Sequence, residues 1–223
     1  MGTLTKYRLD NSDCEIFFET GTGTGASLQH ALDAGNFDKL FSCEIDPNTY
    51  NKVDKIFSKF ENVEILNKDS ISSLKYLLPK IDSHIRVLFF LDAHFPGETE
   101  EEFNPNDRKS DLTSLPLKEE IKLIHQFRPK SNDVIIIDDL RIYEDGDYDN
   151  GNVPKGYANL KDNQRDLSFI EELFPDRIIR RFYDAEGFMI ILPAENNFTL
   201  TRLSAVYRAK RSIKRNLKKF FPN

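Results

Sequence analysis

The chain has 223 residues, of which 39% are hydrophobic and 30% charged, a composition typical of a folded globular protein and not of a disordered one. That length suits one domain with a sizeable core, and no apolar run approaches the roughly 20 residues that a membrane span needs. The N-terminus lacks the apolar segment of a secretory signal, and Cys14 and Cys43 both lie in apolar runs. We therefore expect a cytoplasmic protein with two free, buried thiols.

The net charge of −6 is distributed unevenly along the chain. From Arg202 onward there are eight Lys or Arg residues and no acids, so the 201 residues before it carry 23 basic and 37 acidic side chains, a net charge of −14. Affinity for nucleic acid comes largely from neutralising phosphates, for which an acidic body is poorly suited. We therefore expect no nucleic-acid partner.

Short apolar runs alternate with amphipathic segments along most of the chain. Strands are predicted over 14–19, 39–45, 63–68, 85–92 and 133–139, and helices over 25–34, 47–60, 70–78, 114–128 and 164–174. This alternation favours a doubly wound α/β domain whose parallel sheet is covered on both faces. The last two apolar runs, 176–184 and 187–194, are separated by too few residues for a crossover and must pair antiparallel.

The sequence thus predicts a seven-stranded sheet, mostly parallel with a terminal antiparallel hairpin, in one domain over residues 1–194. Two long polar segments, 95–113 and 141–160, follow the carboxyl ends of strands, where such sheets bind ligands. We expect them to be lids that face the substrate. The second contains Tyr143, Tyr148 and Tyr157, which suit a sugar through stacking and hydrogen bonds.

A glycine-rich turn follows the first predicted strand in IFFETGTGTGASL, residues 16–28. Gly21, Gly23 and Gly25 allow a sharp turn and a close approach of the backbone to a ligand. Two cofactor classes fit this turn. The spacing from Gly21 to Ala26, with Glu44 as the ribose-binding acid, satisfies the dinucleotide pattern, and three alternating glycines after an acid satisfy the S-adenosylmethionine (SAM) pattern.

Three features favour SAM over a dinucleotide. Glu19, directly before the turn, has the wrong charge for a pyrophosphate but suits the cationic groups of SAM. The terminal hairpin is unlike the all-parallel dinucleotide sheet. Asp69 and Ser70 follow the third strand, where they can meet an adenine edge.

On these residues the chain, up to about Ala194, resembles the class I SAM-dependent methyltransferases. The resemblance implies that Glu44 accepts both ribose hydroxyls and that Asp69 and Ser70 lie near the adenine. It also implies that the loop from Gly21 to Gly25 lies under the methionine part.

Acidic residues also follow the fourth and fifth strands. Asp92 and His94 come after one, and Asp138 and Asp139 after the next. These strands are expected to be neighbours, so three carboxylates would converge, and they repel one another unless a cation lies between them. Oxygen ligands favour Mg²⁺, which would lower the pKa of a substrate hydroxyl and orient it.

This arrangement resembles the metal-dependent O-methyltransferases. The catechol type, a more distant match, has one Asp and then an Asp-Asn pair, whereas the type acting on sugar hydroxyls of macrolide and aminocoumarin antibiotics has Asp and Asp-Asp, as here. The resemblance implies that Asp92, Asp138 and Asp139 bind the metal. It also implies that His94 is the general base, for which an ordinary pKa near 6.5 is suitable. We expect the other histidines to be structural: His30, His84 and His125.

The sequence therefore predicts a Mg²⁺-assisted SAM-dependent O-methyltransferase that acts on a hydroxyl of a sugar or polyol-like small molecule. The alternatives are a metal-free SAM methyltransferase acting on another small molecule and an NAD(P)-dependent oxidoreductase. A protein that binds SAM without turnover is a further alternative.

The extension over residues 195–223 contains a predicted basic amphipathic helix over 202–221. Such a helix can pack on the acidic body of its own chain, on a second subunit of a homo-oligomer, or on an anionic membrane surface as a peripheral contact.

Overall fold

The computed structural model of the chain describes residues 3–10, 12–94, 115–152, 165–195, 198 and 200–204. The seven strands in this part of the chain form one sheet in the order β3-β2-β1-β4-β5-β7-β6. β7 is antiparallel to both β5 and β6, and the other pairs are parallel. The predicted doubly wound, Rossmann-like sheet with a terminal hairpin is confirmed. The strands are β1 (Ile16–Thr20), β2 (Lys39–Cys43), β3 (Val63–Leu66), β4 (Val87–Leu91), β5 (Val134–Ile137), β6 (Arg177–Phe182) and β7 (Phe188–Pro193).

Helices connect the strands. They are α1 (Ala26–Ala34), α2 (Pro47–Phe57), α3 (Ser70–Leu77), α4 (Leu117–Phe127) and α5 (Ser168–Leu173). Two of them begin at side-chain caps: Asp46 accepts a hydrogen bond from the Thr49 amide at 2.8 Å, and Asp69 accepts one from the Ser72 amide at 2.8 Å. These contacts satisfy amide groups that have no partner within the helix, so α2 and α3 start close to where the sequence predicts.

The sheet separates two hydrophobic clusters, one on each face. Phe17 and Phe18 are neighbours on β1 and are fully buried, yet they belong to different clusters because successive strand residues point to opposite faces. The Phe17 cluster includes residues of α1 and α2, and the Phe18 cluster includes residues of α3, α4 and α5. A sheet covered on both faces is what parallel strands require.

A buried ion pair connects elements at the amino edge of the sheet. Arg128 donates from Nε to Asp133 Oδ2 at 2.7 Å, and both side chains are almost completely inaccessible. Asp133 Oδ1 also accepts the Val87 amide at 2.9 Å, and the Arg128 guanidinium donates to the Ile85 carbonyl. The pair therefore joins the end of α4 to the start of β4 and β5, at the edge opposite the glycine turn.

The two cysteines and the three histidines that we expect to be structural have different environments. Cys14 and Cys43 are free and buried, as predicted, and burial raises the pKa of each thiol to about 12. His30 Nε2 lies 2.7 Å from the Tyr7 carbonyl oxygen, His125 packs edge-on against a phenylalanine ring, and His84 is exposed.

Part of the predicted lid over 141–160 is instead a packed element of the fold. Tyr143 and Tyr148 are buried, at 5% and 6% exposure, and belong to the hydrophobic cluster of α4. The Asn150 amide donates to the Ala185 carbonyl at 3.2 Å, which ties the segment to the turn between β6 and β7. Tyr143 and Tyr148 are thus core residues and not sugar-stacking surfaces. Tyr157 and the predicted lid over 95–113 lie outside the described residues.

The C-terminal extension begins by packing against the N-terminal segment. Arg202 forms an isolated antiparallel bridge with Tyr7, and the Leu203 amide donates to the Lys6 carbonyl at 2.8 Å. Residues 202–204 are not helical, so the predicted helix does not start at Arg202, and its remainder, 205–221, lies outside the described residues. In the part of the chain that is described, no helix has both the length and the apolar character to cross a membrane.

A candidate site at the carboxyl edge of the sheet

The glycine turn is held against the ends of three strands. Gly21, Gly23 and Gly25 all have positive φ angles, of 81°, 50° and 74°. A Cβ added to Gly21 would lie 2.7 Å from the carbonyl oxygen of Asp92, and the Gly21 amide donates to the Cys43 carbonyl at 3.0 Å. The turn therefore follows β1 and contacts the ends of β2 and β4, a close approach that only glycine permits at position 21.

Glu44 holds the open side of this turn. Its Oε2 accepts the Gly23 amide at 2.9 Å, and its Oε1 accepts the Asp46 amide at 2.9 Å. Each carboxylate oxygen has a second lone pair, so Glu44 retains capacity to accept a ligand hydroxyl. The structure brings Glu44 to the turn, and its role as ribose acceptor stays a prediction.

Glu19 lies beneath the turn and is completely buried. The hydroxyls of Ser27 and Ser42 donate to its two carboxylate oxygens, and the Thr22 hydroxyl lies 2.6 Å from that of Ser42. Burial raises the pKa of Glu19 to about 8, although the two serine hydrogen bonds oppose the rise. Glu19 therefore supports the turn from below, and its predicted part in cofactor binding stays a prediction.

The two residues predicted near the adenine occupy the start of α3. Asp69 is engaged by Ser72, whose amide and hydroxyl donate to it at 2.8 and 2.7 Å. Ser70 is buried beside the side chain of Glu120. The structure places both at the same edge as the glycine turn, and their role near the adenine stays a prediction.

Asp92, His94 and Asp139 converge at the ends of β4 and β5. His94 Nε2 lies 2.7 Å from Asp139 Oδ2 and 3.2 Å from Asp92 Oδ1, and all three side chains remain partly exposed. The pKa of the Asp92 carboxyl is raised, mainly because the group is withdrawn from water, while the hydrogen bond to His94 opposes the rise and Asp139 adds to it. Two carboxylates on one imidazole favour a positive charge between them.

Asp138 is not in this group. It is buried, at 3% exposure, whereas Asp139 is partly exposed and has a φ of 49° that turns the chain at the end of β5. Neighbouring residues at a strand end project in different directions, so Asp138 and Asp139 cannot both be assumed to face one ligand. The structure brings two of the three predicted metal ligands together, and the assignment of Asp138 stays a prediction.

The donor atoms of the Asp92–His94–Asp139 cluster fit a divalent cation. One atom from each side chain, either a carboxylate oxygen or an imidazole nitrogen, can be chosen so that all three lie within 4.8 Å of one another. Because one donor is an imidazole, the set suits Mn²⁺ or Zn²⁺ better than Mg²⁺, which prefers oxygen.

Glu120, in the first turn of α4, is a residue that the sequence prediction missed. Its side chain is 1% exposed, and the hydroxyls of Ser70 and Thr20 interact with it, yet Oε1 has no hydrogen-bond partner. Burial raises its pKa to about 7, and the negative charge of Asp92 contributes to the rise. The pattern of the helix contains a clue, because Glu120 adjoins Ile121 on the same apolar stripe as Ile124.

Comparisons with known proteins establish the fold. No protein-family model and no curated protein matches the chain. It is similar to a structural-genomics protein from Corynebacterium glutamicum, with 11% identity and a TM-score of 0.53 over 88% of this chain and 80% of that one. Two further structures have TM-scores of 0.49. They are a candidate caffeoyl-CoA O-methyltransferase from Staphylococcus aureus (14% identity; 83% and 78% of the two chains) and the methyltransferase PaMTH1 of Podospora anserina with bound S-adenosylhomocysteine (SAH) (15%; 80% and 71%). At these identities the similarity shows a shared doubly wound fold alone.

Proposed function

We propose that the chain is a SAM-dependent O-methyltransferase that acts on a hydroxyl of a small molecule, with sugars and polyols the first class to test. The observation that carries this proposal is the contact between the glycine turn and the acidic cluster. Gly21 packs on the carbonyl of Asp92, and the Asp92 side chain contacts His94. A donor held by the turn and an acceptor held by the cluster would therefore be adjacent.

The charges at this edge favour SAM over a dinucleotide. Glu44 lies at the open side of the turn, where a pyrophosphate would meet a carboxylate, and Glu19 is buried under the turn, where no basic side chain among the described residues is present to balance a phosphate. SAM carries no phosphate, and it supplies a methyl group already activated by the sulfonium charge.

On the acceptor side, we assign His94 the role of proton acceptor. A hydroxyl must lose its proton when it takes a methyl group, and an imidazole within hydrogen-bond distance can accept it. Asp92 and Asp139 flank His94 and would stabilise the imidazolium that forms.

A divalent cation is a second way for the cluster to act. Asp92, His94 and Asp139 would hold it, and it would supply Lewis acidity that lowers the pKa of an acceptor hydroxyl. His94 would then be a ligand and not the proton acceptor, so the two modes make different predictions.

The test starts with calorimetric titration of the purified protein with SAM and with NADH; binding of NADH but not SAM would refute the proposal. SAH release is then measured across a panel of sugars, polyols and phenols, for the wild type, for Asp139→Asn and for the exposed Asp176→Asn as control. We expect Asp139→Asn to lose about 100-fold or more in turnover while its SAM affinity stays within about threefold, since the cluster serves the acceptor.

Chelation separates the two modes of the cluster. If turnover falls in EDTA and returns with Mn²⁺, Zn²⁺ or Mg²⁺, the cation mode holds. Full turnover in EDTA, combined with loss of turnover in His94→Ala, supports the metal-free mode. Binding of SAM without SAH release for any acceptor would instead indicate a protein without catalysis.

A further inference from the structure

Glu120 is a buried acid next to the proposed donor site, and among the residues that the structure describes no Lys or Arg pairs with it. Its carboxyl group interacts with the hydroxyls of Thr20, which immediately precedes the glycine turn, and of Ser70, which starts α3. Its charge also interacts with those of Asp92 and His94. The carboxyl group therefore lies under the region between the turn and the cluster, with Oε1 buried and without a hydrogen-bond partner.

Positive charge is scarce around this acid. Within the residues described, no Lys or Arg forms an ion pair with Glu19, Glu44 or Glu120. Of the two lysines nearest to Glu120 in α4, Lys122 pairs with the partly exposed Glu119 and Lys118 lies over the ring of Phe169. An ionised carboxylate buried without a partner is strongly unfavourable, which is why burial raises the pKa of Glu120, and a cation close by would favour its ionised form.

The proposed donor brings such a charge. SAM carries a sulfonium, whereas its product SAH is a neutral thioether that differs by one methyl group and one positive charge. In a weakly polarisable interior a carboxylate acts on a charge several ångströms away, so direct contact is not needed.

We propose that Glu120 makes the site discriminate by charge, so that it retains the sulfonium donor and releases the neutral thioether product. This inference rests on the proposed methyltransferase function and goes further, because it assigns Glu120 an electrostatic role in the order of binding and release. Glu120 acts here as a positioning residue and takes no part in the methyl transfer itself.

The test compares two neighbouring isosteric substitutions. Glu120→Gln removes the buried charge, and Glu119→Gln removes a partly exposed one that pairs with Lys122. Dissociation constants for SAM and SAH are measured by calorimetry for the wild type and both variants, together with melting temperatures. We expect Glu120→Gln to weaken SAM binding by about tenfold or more and SAH binding by no more than about twofold. Its melting temperature should equal or exceed that of the wild type, and Glu119→Gln should change neither affinity.

Several outcomes would overturn the inference. Equal weakening of both ligands would mean that Glu120 only shapes the site, and unchanged SAM affinity would mean that its charge does not reach the ligand. Glu120→Asp retains the charge. If Glu120→Gln lowers the melting temperature and Glu120→Asp does not restore the ratio of SAM to SAH affinity, the role of Glu120 is structural. If the wild type binds neither ligand, the proposed function fails and this inference fails with it, a result distinguishable from failure of the variant alone.

Discussion

Glu19 illustrates how a single residue links stability to pH. The protein buries this carboxyl completely and leaves it only two serine hydroxyls as partners, and its pKa rises from 4.5 to about 8. The folded state therefore binds the Glu19 proton more tightly than the unfolded state does. Its contribution to stability is complete below pH 4.5 and declines as the pH rises toward 8.

We expect Glu19→Gln to reduce the decline in the free energy of unfolding as the pH rises toward 8. Urea unfolding of wild type and variant from pH 5 to pH 8.5 should give a free-energy difference that shifts in favour of the variant as the pH rises, because the amide cannot ionise. The exposed Glu61→Gln, as control, should run parallel to the wild type. Parallel curves for Glu19→Gln as well would show that Glu19 does not titrate with a raised pKa.

At the scale of single residues, the sequence predicted some members of the site and missed others for physical reasons. The convergence of Asp92 with Asp139 follows from the order of the strands, which the alternating pattern predicts. Asp138 adjoins Asp139 in the sequence, but it is buried and lies outside the Asp92–His94–Asp139 cluster, and its assignment as a ligand stays a prediction. Glu120 was missed because the sequence alone does not distinguish a buried acid in the first turn of a helix from a solvated one such as Glu119.

At the scale of elements, the glycine turn combines two different requirements. Gly21 and Gly23 both have positive φ angles, but they differ in the space around them. A Cβ at Gly21 would collide with the backbone of Asp92, whereas a Cβ at Gly23 would meet nothing within 4 Å.

Alanine substitutions should therefore differ in their effects. Gly23→Ala should cost only the left-handed strain, about 1–2 kcal/mol. Gly21→Ala should cost more and weaken SAM binding more, because the turn or the end of β4 has to move. Unfolding free energies and SAM dissociation constants for the two variants measure this, and equal losses in both would contradict the geometry.

Local periodicity predicted the elements well and the loops poorly. The strands and helices lie within a few residues of their predicted positions, since apolar patterns report which face of an element is buried. The segment 141–152 was expected to be a lid because it is polar and long, yet Tyr143 and Tyr148 are core residues. Its packing depends on contacts with the β6–β7 turn, about 35 residues away, which no local pattern encodes.

At the scale of the whole molecule, the two ends of the described chain pack together. Phe198 is buried in the same hydrophobic cluster as Tyr7, Leu203 is also buried, and Arg202 forms an ion pair with Asp184 at 2.8 Å. Residues beyond the predicted domain boundary at 194 thus contribute to the core.

We expect truncation to depend sharply on where the chain ends. A chain ending at Ala194 should lose about 1.5–3 kcal/mol of unfolding free energy for each of the two side chains removed from the core, Phe198 and Leu203. A chain ending at Ser204 retains both side chains and should not show this loss, which urea unfolding can measure. Similar stability for both truncated chains would show that the extension adds nothing to the core.

The chain ending at Ser204 also serves to test the basic tail. Sedimentation with anionic vesicles and the measured molecular mass, each compared with full-length protein, distinguish a membrane contact from a second subunit. A difference in neither would favour packing of the tail on its own acidic body.

The hydrogen bond from the Gly23 amide to Glu44 has a consequence for the rate at which a ligand binds. Because the Glu44 carboxylate already fixes the turn, the binding site for a nucleoside would be preorganised. Little conformational entropy of the turn would then be lost on binding. Removing Glu44 would thus slow association of the ligand and also speed its dissociation. Stopped-flow measurements would give the two rate constants separately, which an equilibrium affinity alone does not.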